Sequence, residues 1–221
     1  MATRIAINGF GRIGKCVLRA FAENDYPDLE IVCVNIGMGD LDSEYHFLKY
    51  DSTHGIFNNL KKTSNGFDFG KGNVKVIAEM DIAKLPWHDD KIDIVLECTG
   101  AFTKRELAAK HISSGAKKVM VSAPCESADE TIVLGVNEQK LNKNHEVISI
   151  GSCTTNCLAP IAKVFNDALG IESGFMTTIH AYTNDQNLLD AAHKDKRRAR
   201  AAALSMIPSS TGAAKALGIV L

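Results

Sequence analysis

The run Ser152-Cys153-Thr154-Thr155-Asn156-Cys157 places a thiol where a strand pattern gives way to a helix pattern. A thiol reacts as its thiolate, and a helix N-terminus favours that anion. A second run, Gly9-Phe10-Gly11-Arg12-Ile13-Gly14, follows a strand pattern and opens a helix pattern. In that context the first glycine permits a tight turn, the second admits a pyrophosphate to the backbone, and the third lets helix pack on strand. A sulfur able to bond a carbonyl carbon, beside a dinucleotide able to accept hydride, describes aldehyde oxidation.

The thiol needs a basic partner. His180 closes the strand-like segment Met176-Thr177-Thr178-Ile179 and is the best placed. His46, His54, His88, His111, His145 and His193 fall in helices, loops or surface turns, where solvated or capping roles are expected. Cys157 stands one helical turn beyond Cys153, where packing is the preferred role and a redox relay the alternative. Ser152, Thr154, Thr183, Thr211 and Gly212 supply hydroxyls and N–H groups suited to phosphate oxygens, although Ser and Thr also cap helices routinely. Two such clusters suggest a phosphorylated substrate and a free phosphate.

The elements that must position these groups alternate. Residues 4–8 read as a strand, 13–21 as an apolar-periodic helix stopping before Pro27, and 30–35 as a strand dense in β-branched residues. A helix is expected over 42–50 and short strands and turns over 55–80, with Asn65-Gly66 as a hairpin signal. Strands are expected at 92–97, 118–122, 131–136 and 147–150, with a helix over 104–113. This βα alternation predicts a doubly wound, mostly parallel Rossmann-type sheet over residues 1–151. Residues 152–221 read as the start of an α+β catalytic domain: a helix from Cys153, one long strand over 174–182, a Lys- and Arg-rich loop over 183–206 and a last helix from about residue 210. The sequence stops at Leu221 within an apolar helical run, which reads as a truncated domain with an unfinished sheet.

Of the 221 residues, 23% are charged, and the net charge of -1 gives no pull toward nucleic acid or a membrane surface. No apolar run is long enough to span a bilayer, and the first residues enter a strand pattern without a signal-peptide shape. The six cysteines have no zinc-ribbon spacing, so no metal is expected, and a reduced, cytoplasmic protein is the reading.

These motifs resemble phosphorylating glyceraldehyde-3-phosphate dehydrogenase. The likeness also rests on Lys49-Tyr50-Asp51-Ser52-Thr53-His54-Gly55, Glu97-Cys98-Thr99-Gly100, Ser122-Ala123-Pro124 and Thr211-Gly212-Ala213-Ala214-Lys215-Ala216. The resemblance implies oxidative phosphorylation of glyceraldehyde 3-phosphate to 1,3-bisphosphoglycerate through a Cys153 thiohemiacetal and thioester, with His180 as base. It implies Gly9, Phe10, Gly11, Arg12, Ile13, Gly14, Asn35, Ile36, Met80, Thr99, Gly100 and Ser122 as cofactor-binding residues. Thr183 would contact the substrate phosphate, and Ser152, Thr154, Thr211 and Gly212 the attacking phosphate. A homotetramer is implied in the same way. Erythrose-4-phosphate dehydrogenase, or a non-catalytic dinucleotide-binding fragment, are the alternatives.

Three positions depart from the family pattern. Ile36 stands where NAD-dependent members carry an acid for the adenosine ribose. Leu189-Asp190-Ala191-Ala192-His193 has alanines where NAD-specific members have Leu-Pro. Met80 replaces an arginine near the adenine. A missing carboxylate removes one repulsion against a 2′-phosphate. The expected cofactor is therefore NAD or NADP, with NADP accepted and preferred in one reading.

Overall fold

The computed structural model describes residues 2–221. Strand β1 (Thr3–Asn8), helix α1 (Arg12–Glu23) and strand β2 (Leu29–Asn35) open the chain. β1 and β2 pair in parallel, with Ile7 opposite Val34. Ile5, Ala6 and Ile7 are all buried, so β1 presents no solvent face, as a central parallel strand requires. α1 turns Gly14, Leu18 and Phe21 inward, a spacing that keeps all three on one helical face.

Helix α2 (Leu41–Lys49) starts at Asp40, whose carboxylate accepts the Ser43 N–H at 2.9 Å. Its far end is held by buried Arg19 of α1, which donates to the carbonyl of Leu48 at 2.7 Å. Short strands follow: β3 (Tyr50–Asp51) with β4 (Gly55–Ile56), then β5 (Lys61–Lys62), β6 (Gly66–Asp68) and β7 (Asn73–Ile77). The expected hairpin at Asn65-Gly66 is present, since β5 and β6 run antiparallel across it.

β8 (Ile94–Glu97), β9 (Lys118–Val121), β10 (Glu130–Thr131) and β11 (Val147–Ser149) complete the main sheet. Its order is β10-β11-β9-β8-β1-β2-β7-β6-β5, parallel from β10 to β7. β1 lies between β2 and β8, so the strand order reverses there, the place where open α/β sheets bind ligands beyond the carboxyl ends of their strands. The fold is α/β with a largely parallel sheet, as the alternation predicted.

Three expectations need correction. The helix over 104–113 is two short turns, α3 (Arg105–Ala108) and α4 (Lys110–Ser113), and Lys104 forms a bridge to Glu126 instead. The strand over 131–136 stops at Thr131. Asn137 explains it: its side chain accepts the Val133 N–H and donates to the Thr131 carbonyl, both at 2.8 Å, folding the chain back. Residues 174–182 form no strand; they lie between helix α5 (Cys153–Leu169) and the helix α6 (Ala213–Val220). Among the described residues from Cys153 onward there is no strand to complete their backbone hydrogen bonds.

The chain divides into two compact units, one ending at Ser152 and one spanning Cys153–Leu221. Among the described residues no helix is long and apolar enough to cross a membrane.

Helix α1 comes close to the turn after β1 at Gly14. A Cβ there would lie 2.2 Å from the Gly9 carbonyl oxygen, a backbone atom that cannot move away alone. Gly14→Ala is expected to lower folding stability by about 1–3 kcal/mol, the usual cost of overpacking. Urea unfolding should show a reduced midpoint at unchanged slope.

Candidate active site

The glycine turn of the first unit leaves β1 at Asn8 and enters α1 at Arg12. Gly9 has φ +92°, and a Cβ there would meet the Thr99 backbone nitrogen at 2.6 Å. Only glycine fits that position. Gly11 is the N-cap of α1, has no side-chain cap, and has nothing within 4 Å of its Cβ direction. An uncapped helix start with open space above it suits a pyrophosphate. On this geometry the turn fits a dinucleotide.

The other expected cofactor residues sit at carboxyl ends of the parallel strands. Ile36 follows β2 and donates its N–H to the Ile77 carbonyl at 2.8 Å. The exposed Met80 lies beside Gly37, its sulfur 3.1 Å from where a Cβ of that glycine would be. Thr99 and Gly100 follow β8, and Ser122 follows β9, donating its N–H to the Glu97 carbonyl at 3.0 Å. Ile13 is exposed, and Arg12 pairs with Asp51 at 2.7 Å. Two expected residues turn their side chains inward. The Phe10 ring is buried and stacks on Phe67, and the Asn35 amide is engaged by Asn8 and the Glu79 carbonyl. Of the acids that follow Ile36 in the chain, Asp40 caps α2, Asp42 pairs with Lys62, and Glu44 pairs with Lys15.

In the second unit Cys153 is the first residue of α5. His180 Nε2 stands 3.3 Å from its sulfur. The other ring nitrogen, Nδ1, donates to the Ala181 carbonyl at 2.6 Å. That bond fixes the proton on Nδ1 and turns the Nε2 lone pair toward the thiol. The His180 hydrogen bond, aided by Thr154, holds the Cys153 thiol below its ordinary range against a smaller opposing effect of burial. The Ala181 carbonyl and the Cys153 sulfur together raise His180. Both shifts favour a thiolate–imidazolium pair.

The remaining cysteines contrast with this one. Burial pushes Cys33 up to about 12 and Cys98 up to about 11, and it raises Cys125 as well. These are packed side chains with inert thiols. All six cysteines are free, and Cys157 is exposed. Among the described residues no cluster of His, Cys, Asp and Glu could hold a metal ion.

A cavity of about 620 Å³ adjoins the thiol and is lined by Cys153, Thr154, His180, Thr183, Arg198 and Thr211. The Thr211 hydroxyl accepts the Ala213 N–H at 3.2 Å, and Gly212 is the N-cap of α6. Ser152 ends the first unit. Arg198 lies in a basic run, with Lys194, Lys196 and Arg197, for which the sequence suggests a solvated or intersubunit role before any contact with a 2′-phosphate. It donates to Asp185 and to Ser209, each at 2.6 Å, and so is held at the cavity wall. His111 also departs from expectation: it is fully buried in the first unit, bonded to Trp87 and Glu97.

Comparison with known proteins bears on this geometry. Residues 3–105 match the NAD binding domain of glyceraldehyde 3-phosphate dehydrogenase, and residues 152–221 match its C-terminal domain. The whole chain is 56% identical to glyceraldehyde-3-phosphate dehydrogenase of Xanthobacter flavus and 56% identical to that of Cereibacter sphaeroides. Identity to the enzyme of Bacillus subtilis is 54%. The chain belongs to the glyceraldehyde-3-phosphate dehydrogenase family. It spans 66% of the length of each of these three relatives, and all of its own length takes part in the match. The glycine turn falls in the part matching the family's NAD binding domain, and the Cys153–His180 pair in the part matching its C-terminal domain. A nicotinamide dinucleotide is thus the cofactor class that the family assignment and the open turn both support.

Proposed function

We propose that this chain carries the dinucleotide-binding domain, residues 1–151, and the first part of the catalytic domain, residues 152–221, of a phosphorylating glyceraldehyde-3-phosphate dehydrogenase. The 3.3 Å approach of His180 Nε2 to the Cys153 sulfur, with Nδ1 anchored, carries the reading.

The Cys153 thiolate attacks the aldehyde carbon of glyceraldehyde 3-phosphate. The carbonyl π pair moves to oxygen, and the Cys153 N–H at the start of α5 steadies that oxygen. A proton delivered from His180 completes the thiohemiacetal. His180, neutral again, then takes the hydroxyl proton as the carbon loses hydride, leaving a Cys153 thioester. When bound, the nicotinamide supplies the acceptor for that hydride. An oxygen of inorganic phosphate attacks the thioester carbon and the C–S bond breaks, giving 1,3-bisphosphoglycerate and the free thiolate. Thr183 holds the substrate phosphate, and Ser152, Thr154, Thr211 and Gly212 receive the attacking phosphate. Arg198 adds a fixed positive charge on the same cavity wall.

On the cofactor side, Gly9 to Gly14 hold the pyrophosphate, with Ile36 and Met80 toward the adenosine and Thr99, Gly100 and Ser122 toward the nicotinamide. With Ile36 in place of an acid, NADP is accepted beside NAD. A cytoplasmic homotetramer is the assembly that accompanies this reading.

Steady-state oxidation of glyceraldehyde 3-phosphate, with and without inorganic phosphate and with each cofactor, is the test. Turnover that requires phosphate, with kcat/KM for NADP within about tenfold of that for NAD, is expected. Turnover indifferent to phosphate, with erythrose 4-phosphate as the better aldehyde, overturns the substrate assignment. A large advantage for NAD overturns the NADP part alone.

A further inference from the structure

The expected surface histidine, His111, ends a chain of buried polar side chains beneath the glycine turn. Trp87 and His111 are fully buried, and Glu97, Asn8 and Asn35 are 1%, 2% and 5% exposed. Trp87 Nε1–H donates to His111 Nδ1 at 2.9 Å. Nδ1 therefore carries no proton, and His111 is the neutral Nε2–H tautomer. That Nε2–H donates to Glu97 Oε2 at 2.9 Å, and Asn8 donates to the same oxygen at 2.6 Å. The Thr99 N–H donates to Glu97 Oε1 at 2.7 Å, and the Thr99 hydroxyl donates there too. Four donors thus converge on one buried carboxylate.

The chain continues through Asn8, whose amide oxygen accepts from Asn35 at 2.7 Å. Asn35 then reaches the segments that follow β2 and β7. It donates to the Glu79 carbonyl and accepts the N–H groups of Glu79 and Gly37. One end of the network therefore sets Thr99, whose backbone nitrogen lies directly behind Gly9. The other end sets the segments that carry Ile36 and Met80.

We infer that Glu97, Asn8 and His111 are positioning residues for the cofactor: the buried network holds the pyrophosphate turn and the two adenosine-side segments at one fixed separation. This rests on the reading of Gly9 to Gly14 as a dinucleotide cradle. Buried polar groups demand full satisfaction, so the network has one low-energy arrangement. Glutamine at 97 keeps the shape but offers one acceptor oxygen to four donors, and its own NH2 faces two of them. Glutamine at 111 can still accept from Trp87 and donate to Glu97, whereas leucine can do neither.

Titration calorimetry with NAD, on Glu97→Gln, His111→Leu and His111→Gln, tests this at a temperature well below the melting point of each cofactor-free variant. Glu97→Gln and His111→Leu should weaken NAD binding by about tenfold or more, as expected when buried donors lose their acceptor. His111→Gln should stay within about threefold of the parent. In 15N spectra the parent His111 should show the Nε2–H tautomer. Glu97→Gln and His111→Leu binding as tightly as the parent, or His111→Gln losing as much as His111→Leu, overturns the inference. If Glu97→Gln does not fold, the two His111 variants decide. A parent protein that binds no dinucleotide overturns the cradle reading instead.

Discussion

Cys153→Ser is expected to abolish aldehyde oxidation, with kcat lowered by about 10,000-fold or more, in line with the loss of a covalent nucleophile elsewhere. The serine hydroxyl would stand at the same helix start and face the same imidazole, 3.3 Å away in the parent. Position alone does not rescue it. The environment that carries a thiol part-way to its anion leaves a hydroxyl protonated, and an oxygen ester would not conserve the oxidation energy that a thioester holds for phosphate. Dinucleotide affinity should change little, because every residue of the glycine turn belongs to the first unit. Stopped-flow measurement of reduced cofactor separates the two effects. A serine variant that still oxidises aldehyde at an appreciable rate would remove the nucleophile from the scheme.

His180→Asn should lower kcat/KM by about 100- to 10,000-fold, the range for a lost general base. Iodoacetate alkylation of Cys153 gives an independent reading of the same change. The sign follows from the directions of the two shifts. The Cys153 thiol titrates below its ordinary range, chiefly through the His180 hydrogen bond, so the parent should be alkylated faster than an ordinary cysteine. Removing the imidazole moves that titration upward. The rate ratio of parent to variant should therefore be greatest on the acid side of the profile and approach one well above pH 9, where either thiol is ionised. His180 itself sits above its ordinary range, through the Ala181 carbonyl first and the thiolate second, so its titration should add a second inflection to the parent profile that is absent from the variant. Coincident profiles for the two proteins would mean that the histidine does not activate the thiol.

The sequence carried the frame of the molecule because that frame is local. Alternating runs such as Arg4-Ile5-Ala6-Ile7-Asn8 and the spacing of Gly14, Leu18 and Phe21 depend on nearest neighbours and on one buried face. The thiol–histidine pair was legible because few residue types can serve as nucleophile and base. The failures share a cause: they depend on a distant partner. Residues 174–182 have strand composition, but among the described residues no strand pairs with them. Asn137 ends a strand through a side chain placed six residues later. His111 and Glu97 are polar types that ordinarily face water, and only the tertiary structure shows that they satisfy each other in the interior. Arg198 reads as one more loop cation until its bonds to Asp185 and Ser209 set it at the cavity wall. The inward turn of the Phe10 ring and the Asn35 amide depends likewise on Phe67, Asn8 and Glu79, residues remote in sequence.

The border between Ser152 and Cys153 has a practical corollary. The proposed nucleophile opens its own unit, and the glycine turn proposed to grip the electron carrier is finished more than a hundred residues upstream. On the proposed function, the Ile36 side of carrier choice can be retuned apart from the acyl chemistry, as one dial of two on an instrument. Recasting Ile36 and its neighbours to exchange one dinucleotide for the other would leave the sulfur and its imidazole as they stand.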